Sequence, residues 1–335
     1  MNSSRLSAAP RMHEPKTHNH LLGDHDALAK AMGTDGYWLF RDVFDKDAVA
    51  RLRKVYIEEL VKLDVIDPID VDSAAKGIRY NGRGDLKAMP IHMEPLCDRH
   101  AAQTFLAEKP IHDFMVKLLG EEPFWKPVVE YRATAPNPDD STKQVTGWHQ
   151  DGPPTPGVDF ITMWTPVADI DWDIGGITFG EGLTDPVNRM RIDETGTNKG
   201  IAAETLPEGV WCHTTYRPGD VLFMNRWTPH SGLTNTSDRF RLSFDHRVMR
   251  PGSMRPLVGE VISCTPTRIE VKDDVIGAKA VRIDTSTYAR TTLHQRIWGQ
   301  KIVDEFPAGS RVIVGYDKGD VATVVRPTHQ FDPVV

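Results

Sequence analysis

The sequence contains little cysteine and no long apolar run. Its 3 cysteines are far apart and odd in number, so they do not make a disulfide framework and instead favour a reducing compartment. No apolar stretch approaches the roughly 18 residues that a membrane span needs, and the first residues lack the apolar segment of a secretory signal. We therefore expect a cytoplasmic protein that does not bind membranes.

Positive charge is not concentrated anywhere in the chain. Lysine and arginine number 40 against 47 aspartates and glutamates, which gives a formal net charge of −7 without a basic tract. This composition makes nucleic acid and anionic membrane surfaces poor partners. The hydrophobic fraction of 39% and the 8 tryptophans are ample for a sizeable core in 335 residues.

The N-terminal part reads as a tail followed by helices. Residues 1–24 are polar, and we expect a disordered or extended tail whose histidines, His13, His18 and His20, lie in solvent rather than on a metal. Residues 25–335 are predicted to form a single domain. Within it, "GYWLFRDV" predicts a strand, Asp45 can cap a helix, and Gly120 can end another one.

Between about residues 124 and 250 the sequence becomes β-rich. Runs such as "PVVEYRAT", "VDFITMWTPVADI", "GDVLFMNRW" and "FRLSFDHRV" alternate with Gly, Pro and Asp. Several short strands separated by turn signals are typical of a sandwich or barrel. We therefore predict an all-β core with flanking helices. Residues 251–335 are a C-terminal elaboration, with a helix-like "TLHQRIWGQKIVDEF" and a hairpin-like "SRVIVGYDKGDVATVV", that extends the core or forms a homo-oligomer contact.

The stretch "TGWHQDGPP" carries the first chemically informative residues. Residues two apart on an extended strand face the same way, so His149 and Asp151 can converge on one point. One imidazole and one carboxylate are two ligands of a facial non-haem Fe(II) site, which needs a second histidine. His230 offers it, because it follows the apolar run "GDVLFMN" and precedes the small residues Ser231 and Gly232.

A possible anion site follows on the next predicted strand, "RFRLSF". Arg241 and Ser243 share one face of that strand. A guanidinium with a hydroxyl beside it, on the inner face of a barrel, suits a bound carboxylate.

Taken in this order, the motifs resemble the phytanoyl-CoA dioxygenase family. The resemblance extends to "GYWLFRDVFDKDAVARLR" and "MWTPVADID" and covers about residues 30 to 250. It implies a double-stranded β-helix core (a jelly-roll, cupin-like fold) at about residues 124–250. It also implies an oxygenase that uses Fe(II), the cosubstrate 2-oxoglutarate and O₂.

The roles implied by the resemblance attach to individual residues. His149, Asp151 and His230 match the iron ligands and are the expected catalytic residues. Arg241 matches the arginine that pairs with the distal carboxylate of 2-oxoglutarate, and Ser243 is its neighbour. There are two other cofactor-binding candidates. Trp164 matches a tryptophan in the cosubstrate region of relatives, and Gln150 is expected to support the ligands.

The implied reaction oxidises an unactivated C–H bond of a small metabolite, with hydroxylation as the expected outcome and release of succinate and CO₂. Asp151 argues against the halogenase variant, in which a small residue replaces the carboxylate. Two alternatives remain: a cupin-like iron dioxygenase that does not use 2-oxoglutarate, and a non-catalytic small-molecule-binding protein on the same barrel. Arg241 argues against the first, and the complete set of candidate ligands argues against the second.

The chain also departs from the family. It has "IGGITFGEGLTDP" where relatives have "NGPL…PGSH", so the turn at Gly175 and Gly176 is kept while lid and product contacts are not transferable.

"DIDWDIGG" mimics a calcium loop but lacks its later glycine and glutamate, which predicts an acidic turn. His213 and His246 are expected to be ordinary buried histidines. Four arginines could bind a substrate carboxylate or phosphate locally: Arg79, Arg83, Arg132 and Arg189.

Overall fold

The computed structural model describes residues 12–87, 89, 93–137, 147–194, 198–292 and 295–328. Its helices are α1 His25–Thr34, α2 Lys46–Lys62, α3 Val71–Ala74, α4 Pro95–Asp98, α5 Ala101–Leu106, α6 Lys109–Leu119 and α7 Gln300–Glu305, with short 3₁₀ turns at Asn19–Leu21 and Ala203–Thr205. None of the helices in these ranges is both long and apolar enough to cross a bilayer.

The β-strands make up most of the remaining regular structure. Up to residue 250 they are β1 Tyr37–Phe40, β2 Ile78–Arg79, β3 Trp125–Thr134, β4 Phe160–Pro166, β5 Gly176–Gly180, β6 Arg191–Ile192, β7 Asn198–Lys199, β8 Trp211–Cys212, β9 Val221–Asn225, β10 His230–Leu233 and β11 Arg239–Met249. After it come β12 Leu257–Thr265, β13 Arg268–Asp273, β14 Gly277–Arg282, β15 Tyr288–Arg290, β16 Arg296–Ile297, β17 Arg311–Tyr316 and β18 Ala322–Pro327.

A six-stranded antiparallel sheet forms the centre of the structure. Its strands follow the order β1-β9-β4-β11-β2, and β3 also pairs with the long strand β11. Alternation along the strands divides the side chains between two faces. On β9, for example, Val221 and Phe223 join a large core on one face, whereas Leu222 and Met224 join a smaller core on the other.

Helices α1 to α6 cover the first of these faces. The α2 helix begins after Asp45, whose side chain accepts from the Ala48 N–H, and α6 ends at Gly120, which has a left-handed φ of 74°, so both terminal signals in the sequence are confirmed. From α2, the Tyr56 hydroxyl donates to the Ser243 carbonyl at 2.7 Å. This bond ties the helical layer to β11.

A smaller sheet, in the order β10-β5-β8, faces the other side. Tyr37, Trp164, Ile177 and Phe179 belong to the core that the smaller sheet shares with the inner face of the central sheet. A turn with Gly175 at φ 91° leads into β5, and a Cβ there would lie 2.7 Å from the Leu233 carbonyl oxygen. Only glycine fits this turn, which sets the position of β5 against β10.

The C-terminal elaboration is a seven-stranded sheet, in the order β14-β13-β12-β17-β18-β15-β16, with its own apolar core. The predicted hairpin is confirmed as β17 and β18. The predicted helix in "TLHQRIWGQKIVDEF" is only partly correct, because Arg296–Ile297 is a strand and the helix covers Gln300–Glu305. Residues 293, 294 and 329–335 lie outside the described residues.

The N-terminal tail packs against the protein over its described part, while residues 1–11 lie outside the described residues. His18 is 3% exposed, its N–H donates to the Leu39 carbonyl at 2.8 Å, and its ring meets Tyr37 edge-on at 5.3 Å. The expectation that His18 lies in solvent is therefore wrong, because β1 offers it both an apolar surface and backbone partners. His13 and His20 are exposed as expected.

One buried histidine makes the stability of the fold depend on pH. His246 is 2% exposed beside Trp125, and its Nδ1 accepts from the Arg247 N–H at 2.8 Å. Burial, reinforced by the Arg247 charge, lowers the pKa of His246 to about 3. The unfolded chain therefore binds a proton first, and stability decreases as the pH falls below about 6.5.

We predict that His246 alone lowers the free energy of unfolding by about 1.4 kcal/mol between pH 7 and pH 5.5. In denaturant unfolding at both pH values, the free energy of unfolding of His246→Gln should decrease by about this amount less than that of the wild type, since glutamine does not titrate. His20→Gln, at an exposed position, is the control and should behave like the wild type. An unchanged decrease in His246→Gln would contradict the assignment.

Candidate active site

The three residues proposed as metal ligands lie together on the inner side of the central sheet. His149 and Asp151 come from the loop before β4, and His230 begins β10. Their nitrogen and oxygen donor atoms all lie within 4.8 Å of one another, and the two imidazole rings are 4.1 Å apart. The structure thus brings together residues that are far apart in the sequence.

Backbone carbonyls orient both imidazoles. Nδ1 of His149 donates to the Gly147 carbonyl at 2.7 Å, and Nδ1 of His230 donates to the Thr228 carbonyl at 3.0 Å. A ring whose Nδ1 carries the hydrogen presents a lone pair at Nε2. Both histidines are therefore fixed in the tautomer that can bind a metal through Nε2.

Asp151 is oriented in the same way. Its Oδ2 accepts from the Thr162 hydroxyl at 2.6 Å and from Arg247 Nη2 at 3.1 Å. Oδ1 then remains for a metal, 3.8 Å from Nε2 of His149. Burial opposes the charge of this carboxylate, but Arg247 and the two histidines hold its pKa well below the usual range.

The histidines are held neutral. Burial, and then the neighbouring His230, lower the pKa of His149 to about 4. Burial also lowers the pKa of His230. Near neutral pH the site therefore offers two neutral imidazoles and one ionised carboxylate, the protonation states that a metal requires.

A small cavity, with about 40 Å³ of space for the centres of water-sized molecules, adjoins these ligands. Its walls contain two of the ligands and residues from both sheets, namely Arg132, His149, Thr162, Trp164, Gly176, Ile177, Met224, His230, Gly232, Arg241, Asp245 and Arg247.

The predicted cosubstrate residues differ in position. Arg241 and Trp164 line the cavity. Ser243 lies on β11 with Arg241, on the same strand face, and is fully buried. Gln150 is not among the lining residues. It is buried, its side chain donates to the Val187 and Trp227 carbonyls, and it accepts from the Arg189 N–H. Gln150 therefore stabilises loops instead of contacting a cosubstrate.

Of the four arginines considered for anion binding, only Arg132 lines this cavity. Arg79 pairs with Asp238, Arg83 with Asp64 and Asp67, and Arg189 with Asp185. The calcium-like loop is an acidic turn as predicted, and its carboxylates pair with basic side chains of Lys76, Arg217 and Arg239. His213 is buried, with Nδ1 on the Ile177 carbonyl.

Sequence reasoning missed three residues at the site. Thr162 and Arg247 hold Asp151, and Asp245 lines the cavity. Two of them could have been found, because Asp245 and Arg247 continue the alternation that singled out Arg241 and Ser243 on the same strand. Thr162 lies opposite Arg247 across β4 and β11, a pairing that the sequence alone does not reveal.

Two histidines and a carboxylate around an open position are the donor set of the facial triad of non-haem Fe(II) oxygenases. A family profile described as "Phytanoyl-CoA dioxygenase (PhyH)" matches residues 32–243, more than half of the chain. The chain therefore belongs to the phytanoyl-CoA dioxygenase family. Membership carries with it the cofactors expected from the sequence, Fe(II), 2-oxoglutarate and O₂.

Several solved structures are similar to the chain. The non-heme alpha ketoglutarate dependent epimerase SnoN from nogalamycin biosynthesis is 22% identical over 68% of this chain and 83% of SnoN, with a TM-score of 0.45. AviO1 from Streptomyces viridochromogenes Tue57 is 15% identical over 69% of this chain and 97% of AviO1, with a TM-score of 0.45. EctD from S. alaskensis with bound Fe is 18% identical over 72% of this chain and 82% of EctD, with a TM-score of 0.44. Such low values do not transfer a reaction or a substrate. No curated protein matches the chain.

We predict that His149→Ala weakens Fe(II) binding at least about 100-fold, since loss of a ligand should exceed the 10–100-fold effect of losing its support. The measurement is an anaerobic Fe(II) titration. His213→Gln is the control, because His213 is a buried histidine that lies outside the ligand cluster. Fe(II) affinity equal to that of the wild type in His149→Ala would remove this residue from the site.

Proposed function

We propose that the chain is an Fe(II)- and 2-oxoglutarate-dependent dioxygenase. It oxidises an unactivated C–H bond of a small-molecule metabolite, with hydroxylation as the expected outcome, and releases succinate and CO₂. In this proposal the two facing sheets, β1-β9-β4-β11-β2 with β3 and β10-β5-β8, are the double-stranded β-helix of the family. The proposal also keeps the cytoplasmic location expected from the sequence.

The observation that carries the proposal is the state of Arg241. This side chain is 3% exposed, and no carboxylate of the described residues pairs with it. Its Nη1 donates to the Gly176 and Leu233 carbonyls and its Nη2 to the Thr134 hydroxyl. Burial, and then Arg132, lower the pKa of Arg241 to about 9. A buried guanidinium without a counter-charge is costly.

Two further atoms support the proposal of a counter-charge beside Arg241. Nε of Arg241 and Oγ of Ser243 are both buried without a hydrogen-bond partner among the described residues. They lie on the same face of β11. A carboxylate bound beside Arg241 would accept a charge-assisted hydrogen bond from the arginine, and the serine hydroxyl would supply a second donor if the carboxylate reached it. The pair therefore fits the distal carboxylate of 2-oxoglutarate.

Several residues around the cavity then have roles. Nε2 of His149 and of His230 and Oδ1 of Asp151 would hold the iron, which together with 2-oxoglutarate and O₂ would supply the oxidising chemistry. Thr162 and Arg247 keep Asp151 ionised and oriented. The apolar walls exclude water from the cosubstrate, and they are formed by Trp164, Ile177 and Met224.

The environment of Arg132 favours a polar substrate. It lines the cavity, and its nitrogens are 3.7 Å from Glu130 and 3.8 Å from Asp245. These separations are longer than hydrogen bonds, so its N–H groups can bind an acceptor on a substrate. Screening polar and anionic metabolites for stimulated succinate release would identify the substrate.

Two other functions use the same fold. A cupin-like iron dioxygenase without 2-oxoglutarate does not need a carboxylate site, and the unpaired Arg241 favours the keto acid. A non-catalytic binding protein does not need two imidazoles with their Nδ1 atoms fixed and a carboxylate held ionised beside them. We retain both as outcomes of the experiments below.

We predict that O₂ consumption requires both Fe(II) and 2-oxoglutarate and that succinate and CO₂ form in equal amounts. Turnover without substrate should be slow but measurable, by oxygen electrode and by succinate assay. His149→Ala should abolish it, because the iron is then poorly bound. Full-rate substrate oxidation without any keto acid would favour the cupin-like dioxygenase, and absence of all turnover with an identified ligand would favour the binding protein.

We predict that Arg241→Ala weakens 2-oxoglutarate binding at least about thirtyfold. Truncating one partner of a desolvated charge pair costs about 2–5 kcal/mol, and each 1.4 kcal/mol is about tenfold. Arg241→Lys keeps the charge but loses the fork, so its affinity should lie between those of the other two proteins. The measurement is an anaerobic titration that follows the charge-transfer band of the keto acid on Fe(II).

Arg239→Gln is the matched control for this titration. Arg239 lies two residues earlier on the same strand, pairs with Asp171 and Asp173, and does not line the cavity. Its loss should leave 2-oxoglutarate affinity close to that of the wild type. Fe(II) affinity should change little in all three variants. If Arg241→Ala binds 2-oxoglutarate as tightly as the wild type, this arginine has only a structural role.

A further inference from the structure

A second cluster of metal-binding side chains lies outside the cavity, where the N-terminal tail meets the smaller sheet. Its members are His13, Glu181 and Cys212, whose donor atoms all lie within 4.8 Å of one another. Nε2 of His13 is 3.0 Å from Oε2 of Glu181 and 3.1 Å from Sγ of Cys212. One imidazole nitrogen therefore faces a carboxylate and a thiol at the same time.

Hydrogen bonds alone satisfy this arrangement poorly. Nε2 carries either one hydrogen or one lone pair. With the hydrogen it can donate well to Glu181, and with the lone pair it can accept from Cys212. Nε2 cannot donate to Glu181 and accept the thiol hydrogen of Cys212 at the same time, so one of the two short contacts is always left without a good hydrogen bond. A cation among the three donor atoms would satisfy all of them at once.

Backbone pairing holds the three residues in place. His13 forms a parallel bridge with Cys212, through its N–H to the Trp211 carbonyl at 2.9 Å and its carbonyl to the His213 N–H at 3.1 Å. Glu181 follows β5 directly, and its N–H donates to the Val210 carbonyl at 2.7 Å. The donors thus come from three neighbouring segments joined by their main chains.

Neighbouring side chains orient the carboxylate. The Tyr37 hydroxyl donates to Oε1 of Glu181 at 2.9 Å, and Nζ of Lys16 is 3.4 Å from the same oxygen. The other carboxylate oxygen, Oε2, faces His13. Such support of a ligand by a second layer of hydrogen bonds is usual at metal sites. Lys16 also offsets part of the negative charge that a carboxylate and a thiolate bring together.

We propose that His13, Glu181 and Cys212 form a second metal site, of the zinc type, separate from the cavity. A thiolate, an imidazole and a carboxylate are ligands that Zn²⁺ prefers over Mg²⁺ and Ca²⁺. Bond lengths of about 2.0–2.3 Å give ligand separations of about 3.3–3.8 Å in a tetrahedron, so small side-chain shifts complete the site. His13 is 41% exposed, which leaves room for water as the fourth ligand.

Binding deprotonates the thiol. Burial raises the pKa of Cys212 to about 12, and a bound cation offsets this effect by stabilising the thiolate. The thiol proton is released to solvent as the metal–sulfur bond forms. The site then links the N-terminal tail to Trp211, whose ring packs at 4.1 Å on Trp148, the neighbour of the candidate ligand His149.

Cobalt distinguishes this site from the cavity. Among the described residues the cavity ligands include no sulfur, so only the proposed site can give a thiolate-to-Co²⁺ charge-transfer band. We expect the full-length protein to show this band with Co²⁺ and to lose it when Zn²⁺ displaces the cobalt. His149→Ala should keep the band, because that change affects only the cavity. This test does not depend on the proposed oxygenase activity.

Cysteine variants provide matched controls. Cys97→Ser and Cys264→Ser should keep the band, and Cys212→Ser should lose it. His13→Ala, at an exposed position, should weaken Co²⁺ binding at least about tenfold, and it decides the question if Cys212→Ser does not fold. A folded wild type without the band at saturating Co²⁺, or a band that persists in Cys212→Ser, overturns the proposal and leaves a cluster joined only by hydrogen bonds.

Discussion

The backbone N–H of His149 donates to the carbonyl of His230, and the N–H of His230 donates back to the carbonyl of His149, both at 3.0 Å. This pair of bonds joins the loop before the central strand Phe160–Pro166 to the first residue of the smaller sheet. Because this pair of bonds fixes the Cα atoms of both histidines, only rotation of the side chains can change where the imidazole rings lie. The carbonyls of Gly147 and Thr228 then restrict that rotation. The position of Asp151 follows, since it lies two residues further along the same loop.

Two arginines on one strand show how differently a buried charge can be satisfied. Arg247 contacts both Asp245 and Asp151, and although burial opposes its charge, these carboxylates raise its pKa above the usual value. Arg241 lies on the same strand face with only neutral oxygens around it, and its pKa is lowered. The charge of Arg247 is balanced by carboxylates of the chain itself. Arg241 does not, and that contrast is the physical basis for assigning it an anionic ligand.

Much of this site could be predicted from the sequence, because its parts follow local rules. Alternation on a strand identifies Arg241 with Ser243, and the order of the motifs identifies the family. The spacing of His149 and Asp151 also identifies them as a pair, although the structure places them in a loop and not on the strand that the spacing suggests. What could not be predicted depends on contacts between distant segments. Thr162 reaches Asp151 only through the register of two strands, and Gln150 is turned away by carbonyls of residues 187 and 227. His18 is buried only because the tail packs on the first strand.

The C-terminal sheet lies outside the family match, which ends at residue 243, yet it contacts the loop that carries the candidate ligands. The Tyr288 hydroxyl donates to the Pro154 carbonyl at 3.2 Å, and the Thr323 hydroxyl donates to the Pro156 carbonyl at 2.7 Å. These carbonyls follow Asp151 by only a few residues. Among the described residues, no backbone N–H of the proline-rich loop itself donates to them. The sheet therefore stabilises a loop that contains turns but no helix or strand. In this chain the position of the carboxylate depends on residues beyond those that define the family.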